Sequence, residues 1–201
     1  LAPKKQAWPE IETIILSGDL DLLQLVDPQT KAYTLRKGVK DVVLYDEKLV
    51  REKFQGLTPG QLLDFKALRG DPSDNIPGVT GVGEKTAIEL LLGFGSLENL
   101  YKEIEENSGK AKGLRPKLKE SLLKYKEQAF LSKSLAWLNK NMPIDLKLEE
   151  CRWGGYNKEK ATQLLKALEF YSLIKRLPEF KKIEQNGKIK EVKVDKQKTL
   201  F

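Results

Sequence analysis

The chain has 201 residues, 40% hydrophobic and 32% charged, with a net charge of +7. This is enough for one large domain or two small ones around a sizeable core, and the positive excess favours an anionic partner. Histidine is absent and Cys151 is the one cysteine, which excludes an intramolecular disulfide, His-dependent nucleophilic triads and multi-Cys or His-ligated zinc.

Any catalysis must therefore come from carboxylates, lysines or a bound metal. Cys151 lies among Glu149, Glu150 and Arg152 and reads as a half-buried small side chain. No stretch approaches the roughly 20 apolar residues of a membrane span, and no secretory leader is visible, so a cytoplasmic protein is expected. The sequence starts at Leu1 and its one methionine is Met142, which suits a fragment or a processed product.

In chain order, residues 1–12 read as the end of a helix and a turn, with Pro9 blocking continuation. Thr13-Ile14-Ile15-Leu16 is a short apolar run of the buried parallel-strand type, ending at Ser17-Gly18-Asp19. Ligand groups collect at the carboxyl ends of such strands, where Asp19 and Asp21 fall. Two more strands are expected over 31–35 and 39–45, with Arg36-Lys37-Gly38 as the turn. Asp46 can cap a helix over 47–54. Thr58-Pro59-Gly60-Gln61 is a capping box opening a helix to about Arg69.

A Gly/Pro/Asp-rich loop over 70–83 follows, then helices over 84–92 and 96–106 and a loop over 107–113. Residues 115–138 carry Leu118, Leu122, Tyr125, Ala129 and Leu135 at helical spacing and predict one long amphipathic helix. Residues 158–177 give one or two more helices. The Lys-rich stretch 181–201 lacks core periodicity and is expected to be disordered. Trp8, Trp137 and Trp153 read as core or interface anchors, and the lysines of 110–126 as a solvated helix face. Three parts result: an α/β part over 1–56, a helical part over 57–180 and a basic tail.

Two constellations carry chemistry. Asp19 and Asp21, two apart just past a buried strand, suit a Mg²⁺ or Mn²⁺ site, but on the spacing alone a simple cap on the Leu22-Leu23 turn by either one is the favoured reading. The second runs Gly70-Asp71-Pro72-Ser73-Asp74-Asn75-Ile76-Pro77-Gly78-Val79-Thr80-Gly81-Val82-Gly83-Glu84-Lys85-Thr86-Ala87. Its second half is a helix–hairpin–helix pattern. Glycines 78, 81 and 83 let the backbone approach a phosphate, the following helix offers its free N–H groups, Lys85 adds charge and Thr86 a hydroxyl. Such contacts read DNA backbone rather than base, so binding is expected to be sequence-indifferent and salt-sensitive. The glycine spacing does not fit a Walker loop.

Ser17-Gly18-Asp19-x-Asp21-x-x-Gln24-Leu25-Val26 followed by Lys66-Ala67-Leu68-x-Gly70-Asp71-x-Ser73-Asp74-Asn75-Ile76-Pro77-Gly78 resembles the 5′–3′ exonuclease domain of bacterial DNA polymerase I, within the flap-endonuclease family. The likeness continues through Phe94-Gly95-Ser96-Leu97-Glu98-Asn99, Arg152-Trp153-Gly154-Gly155 and Phe170-x-Ser172-Leu173, spanning roughly residues 10–180. It implies an α/β fold, the C-terminal part of a PIN-like nuclease with few strands, followed by the mostly helical hairpin subdomain. It also implies two-metal phosphodiester hydrolysis with Mg²⁺ or Mn²⁺, in which Asp19, Asp21, Asp71 and Asp74 match metal-site aspartates. Gly78, Gly81, Gly83, Lys85 and Thr86 match the hairpin that grips duplex DNA, where the family often holds a K⁺ ion.

The family's other acidic ligands and its threading arch lie upstream of the Gly18-Asp19-x-Asp21 strand and have no counterpart in these residues. The four aspartates look like the outer half of a metal site, so weak nuclease activity or none is expected unless the N-terminal half is supplied. Gln197-Lys198-Thr199-Leu200-Phe201 resembles a sliding-clamp-binding peptide, with Gln197, Leu200 and Phe201 as the contacts. The competing functions are a non-catalytic duplex- or junction-binding module and an adaptor joining DNA to the clamp.

Overall fold

The structure is a computed structural model that describes residues 11–35, 42–144, 147, 151 and 156–177. It divides into two compact units, Leu1–Met142 and Pro143–Leu200. The first unit begins with three strands, β1 (Thr13–Ser17), β2 (Thr30–Leu35) and β3 (Val42–Tyr45), in the order β1-β2-β3. β1 and β2 pair in parallel, with Ile15 beside Ala32 and Leu16 beside Tyr33. A parallel pair needs a crossover, and the connection between them runs through a 3-10 turn over Leu20–Leu25. β3 returns antiparallel, with Tyr33 beside Leu44 and Leu35 beside Val42.

One face of the sheet is buried through Thr30, Ala32, Thr34 and Tyr45; the other leaves Ile14, Leu16, Leu35, Val42 and Leu44 exposed. Parallel sheets are ordinarily covered on both faces, so this apolar surface is unusual for an outer wall.

Helix α1 (Glu47–Lys53) starts where the Asp46 carboxylate accepts from the Leu49 N–H at 2.8 Å. The Thr58–Gln61 capping box leads through a 3-10 turn (Pro59–Gln61) into α2 (Leu62–Arg69). Gln61 also donates to the carbonyls of Leu91 and Gly95, tying this start to the end of α3 (Glu84–Phe94). Ser96 caps α4 (Leu97–Glu105) as expected. The expected loop over 107–113 instead contains a one-turn helix, α5 (Gly109–Lys112), because the Ser108 hydroxyl caps it at the Ala111 N–H.

The long helix expected over 115–138 is two helices, α6 (Pro116–Lys124) and α7 (Lys126–Ala136), broken at Tyr125 with φ −105° and ψ 22°. The break lets α6 send Ser121 to one part of the following site while α7 lies along α2 with Ala129, Ser132 and Ala136 buried. Strands and helices of this unit share a single core, from Leu23, Ala32 and Tyr45 to Leu68, Leu91, Leu100 and Leu122, which is continuous across residues 56 and 57.

One ion cluster lies inside it. The Asp64 carboxylate, 5% exposed, accepts from the Leu97 N–H at 3.1 Å and faces the Lys133 ammonium at 2.5 Å. Lys133 also meets Glu98 at 2.7 Å, so the cluster pins α2, α4 and α7 together. Burial disfavours the Lys133 charge, but its bonds to Asp64 and Glu98 outweigh that and raise its pKa.

The second unit holds α8 (Lys158–Ala167), capped by Asn157, and α9 (Tyr171–Ile174), matching the helices expected over 158–177. Cys151 is exposed rather than half-buried, and Trp137, expected as a core or interface anchor, is exposed and so outside the core. Trp8, Trp153 and the tail over 181–201 lie outside the described residues. Among those residues no helix is long and apolar enough to cross a membrane. The architecture is the expected α/β one, few strands followed by a mostly helical part.

Candidate metal centre and nucleic-acid interface

The loop after α2 is closed on itself. Asp71 and Ile76 exchange backbone bonds at 2.8 and 2.9 Å, and a 3-10 turn over Pro72–Asp74 fills the space between them. Pro72 starts that turn with its ring-fixed φ, and Asn75 ends it in the left-handed region at φ 57°. The Asp71 carboxylate is steadied by the Ser73 N–H at 3.1 Å and hydroxyl at 2.5 Å.

Across from it, the 3-10 turn after β1 presents Asp21. Carboxylate oxygens of Asp21, Asp71 and Asp74 lie within 4.8 Å of one another, the one group of three potential metal ligands among the described residues. Asp19 is outside this group: its carboxylate accepts from the Asp21 N–H at 2.8 Å and caps the turn. Of the two sequence alternatives, Asp19 makes the cap, while Asp21 stands among the grouped carboxylates.

The sequence reading passed over Lys66 as a site residue. Its ammonium bonds to Asp21, lies 2.6 Å from Asp71 and 3.9 Å from Asp74. Burial disfavours its charge, but the bonds to the two aspartates prevail and raise its pKa. Asp71 is held down at about 2: burial pushes upward, and bonds from Lys66 and Ser73 overcome it. Asp21 moves the other way, raised by burial against the pull of Lys66, with Asp19 and Asp74 adding repulsion.

The hairpin follows directly. Gly78 and Gly81 sit at φ 62° and 84°, where glycine is favoured. They do different things. Gly78 is buried, and a Cβ there would lie 2.2 Å from the Gly70 nitrogen and 2.6 Å from the Arg69 carbonyl carbon. Its N–H donates to the buried Ser132 hydroxyl at 3.1 Å, and its carbonyl accepts from the Gln128 amide at 2.5 Å. The close approach at Gly78 is therefore to the protein's own backbone.

Gly81 and Gly83 are exposed, and a Cβ on Gly83 would meet nothing within 4 Å. Gly83 starts α3, whose first backbone bond runs from the Ala87 N–H to the Gly83 carbonyl, so the N–H groups before Ala87 point out of the helix end. Lys85 is exposed and Thr86 half-buried on that first turn. The Ser121 hydroxyl donates to the Thr80 carbonyl. Ser121, Gln128 and Ser132 were also missed; the signal for Ser132 was a polar residue on the buried side of an amphipathic stretch. Gln197, Leu200 and Phe201 lie outside the described residues.

A family model described as the 5′-3′ exonuclease, C-terminal SAM fold, matches residues 57–159. The chain belongs to the 5′–3′ exonuclease family. DNA polymerase I of Bacillus subtilis is 44% identical over 184 residues, 91% of this chain and 20% of that protein. DNA polymerase I of Streptococcus pneumoniae serotype 4 is 44% identical over 160 residues, 79% of this chain and 17% of that one. This exonuclease-family chain thus spans about 20% of the length of such relatives.

Among solved structures it is similar to the T5 5′-exonuclease with bound zinc, at a TM-score of 0.51 and 22% identity, covering 62% of this chain and 42% of that one. It is also similar to the catalytic core of Rad2 in complex with DNA substrate, at 0.50 and 20% identity, covering 76% and 51%. These likenesses share the fold.

Two predictions follow from the geometry of this exonuclease-family site. Gly78→Ala places a methyl group into backbone and is expected to cost roughly 3 kcal/mol or more in urea unfolding, whereas Gly83→Ala is expected to cost under about 1 kcal/mol. Because the folded Asp71 pKa lies below its ordinary value, its contribution is present above pH 3.8 and fades as pH falls toward about 2. The stability gap between wild type and Asp71→Asn should therefore be wide at pH 6 and narrow across that interval; a gap independent of pH would refute the assignment.

Proposed function

We propose that this chain forms the DNA-gripping part of a structure-specific 5′ nuclease that removes flaps or primers in replication and repair. The observation that carries the reading is the convergence of Asp21, from the turn after β1, with Asp71 and Asp74 of the loop that runs straight into the hairpin. The donor set fits a hard divalent cation, being all oxygen, and the Lys66 ammonium among the carboxylates marks a seat that attracts positive charge. Asp21, Asp71 and Asp74 would hold Mg²⁺ or Mn²⁺, with Asp19 alongside; bound there, two such ions supply an activated water and neutralise developing phosphate charge.

The chain's own residues do the rest. Ser73 orients the Asp71 carboxylate. The exposed N–H groups at the start of α3, with Gly81, Gly83, Lys85 and Thr86, take the phosphates of duplex DNA behind the junction, and Gly78 shapes the turn that presents them. A K⁺ ion at hairpin carbonyls belongs to the same reading, as does a cytoplasmic setting. Further acidic ligands would be supplied by another nuclease segment, in the same chain or as a second one, and the apolar sheet face of Ile14, Leu16, Leu35, Val42 and Leu44 would be its seat.

The test is binding and cleavage of a labelled 5′-flap duplex with Mg²⁺ or Mn²⁺. This chain is expected to bind regardless of sequence, with affinity falling steeply as salt rises, and to cleave weakly or not at all. Supplying the preceding segment should restore cleavage, and Asp71→Ala or Asp19→Ala should then reduce it roughly 100-fold or more. Gly83→Ala should weaken binding while the fold persists. Absence of duplex binding at low salt would overturn the proposal; strong cleavage by the chain alone would show that the visible carboxylates suffice. A duplex-binding module without hydrolysis is the outcome if binding is strong and cleavage never appears.

The sequence Gln197-Lys198-Thr199-Leu200-Phe201 supports a second contact, with a replication sliding clamp. Leu200→Ala/Phe201→Ala should abolish clamp capture; unchanged capture would remove the assignment.

A further inference from the structure

Lys66 has no part in the chemistry described above, yet it occupies the middle of the carboxylate cluster. Its ammonium bonds to Asp21 and Asp71 and lies 3.9 Å from Asp74, the same three groups that converge within 4.8 Å. The position is sheltered: the side chains of Lys66, Asp21 and Asp71 are 15%, 17% and 16% exposed. Carboxylates this close repel strongly unless a cation stands among them. One ammonium offsets one of three negative charges and leaves the seat attractive to more positive charge.

The backbone of Lys66 is fixed, since Phe65, Ala67 and Leu68 on the same turn of α2 are buried in the core. Its side chain is not: a four-carbon stem with a point charge at its end can turn away without moving the helix. A ring of carboxylates cannot hold an ammonium and a divalent ion in the same seat.

We propose that Lys66 is an exchangeable counter-ion, which holds Asp21, Asp71 and Asp74 together before metal binds and leaves them when a divalent cation takes its place. The proposal rests on the metal-centre reading given above. It makes Lys66 a positioning residue that keeps the site assembled, at the cost of weaker metal affinity because each binding event must displace it.

The experiment uses the whole chain titrated with Mn²⁺ to saturation, with amine-reactive acylation of each lysine followed by mass spectrometry. Lys66 should be labelled slowly without metal and roughly tenfold faster with Mn²⁺ bound, while Lys48, with a side chain 85% exposed, serves as the unchanging reference. In parallel, free Mn²⁺ is measured by electron paramagnetic resonance. Lys66→Met should bind Mn²⁺ roughly tenfold more tightly than wild type, and Lys66→Arg, which keeps the charge, should not.

Bound Mn²⁺ with Lys66 still protected, or equal affinity in wild type and Lys66→Met, overturns the exchange. The labelling arm needs no variant, so a misfolded Lys66→Met leaves the proposal open to refutation. Binding unaffected by Asp71→Asn, or no binding by any form, defeats the metal-centre reading itself and this proposal with it.

Discussion

The contact between Gly70 and Gly78 sets the geometry of everything around the site. The two backbones touch so closely that a side-chain carbon at Gly78 would lie 2.2 Å from the Gly70 nitrogen. The approach is sealed by the Val79 N–H donating to the Leu68 carbonyl at 2.8 Å and by the Asp71–Ile76 bridge. Residues 70–78 therefore form a loop whose two ends meet at the end of α2. One side of it carries Asp71 and Asp74, and the other opens into the hairpin. Asp71, Asp74 and the hairpin turn are consequently tied to one another through these main-chain contacts.

Charge arrangement adds a second layer. Two lysines, Lys66 and Lys133, each stand between acidic groups at partly sheltered positions, and each is held charged by them against the penalty of burial. Their surroundings differ in a way that matters. Asp64 beside Lys133 is buried and also takes the Leu97 N–H, so that group is bound up in helix packing. Around Lys66, Asp74 has a side chain 53% exposed, and those of Asp21 and Asp71, at 17% and 16%, are less buried than that of Asp64 at 7%. Similar chemistry thus sits within the helix core around Asp64 and nearer the surface around Asp71 and Asp74.

Much of this was legible because it is local. Asp46, Thr58 with Gln61, and Ser96 announce helix starts within a few residues of where they act. The Gly/Pro/Asp punctuation of 70–83 fixes a loop and hairpin wherever the rest of the chain goes, and the strand endings gave Asp19 and Asp21. What was not legible depends on distant partners. Lys66 meets Asp21 across 45 positions, and the Gly78 N–H meets Ser132 across 54. No periodicity encodes such meetings. The break at Tyr125 is of the same kind: the sequence on either side is good helix, and the helices before and after it make contacts with distant parts of the chain, Ser121 with Thr80 and Ser132 with Gly78. Asp19, which caps the turn, and Asp21, which joins the carboxylate group, could not be told apart because the same side chain at the same spacing suits either place.

That break has a mechanical meaning. The hairpin is held at its root by α7, where Ser132 and Gln128 engage both polar groups of Gly78, and near its tip by α6, where one Ser121 hydroxyl reaches the Thr80 carbonyl. The turn is thus held twice from two different helices, by two bonds at its root and by one near its tip.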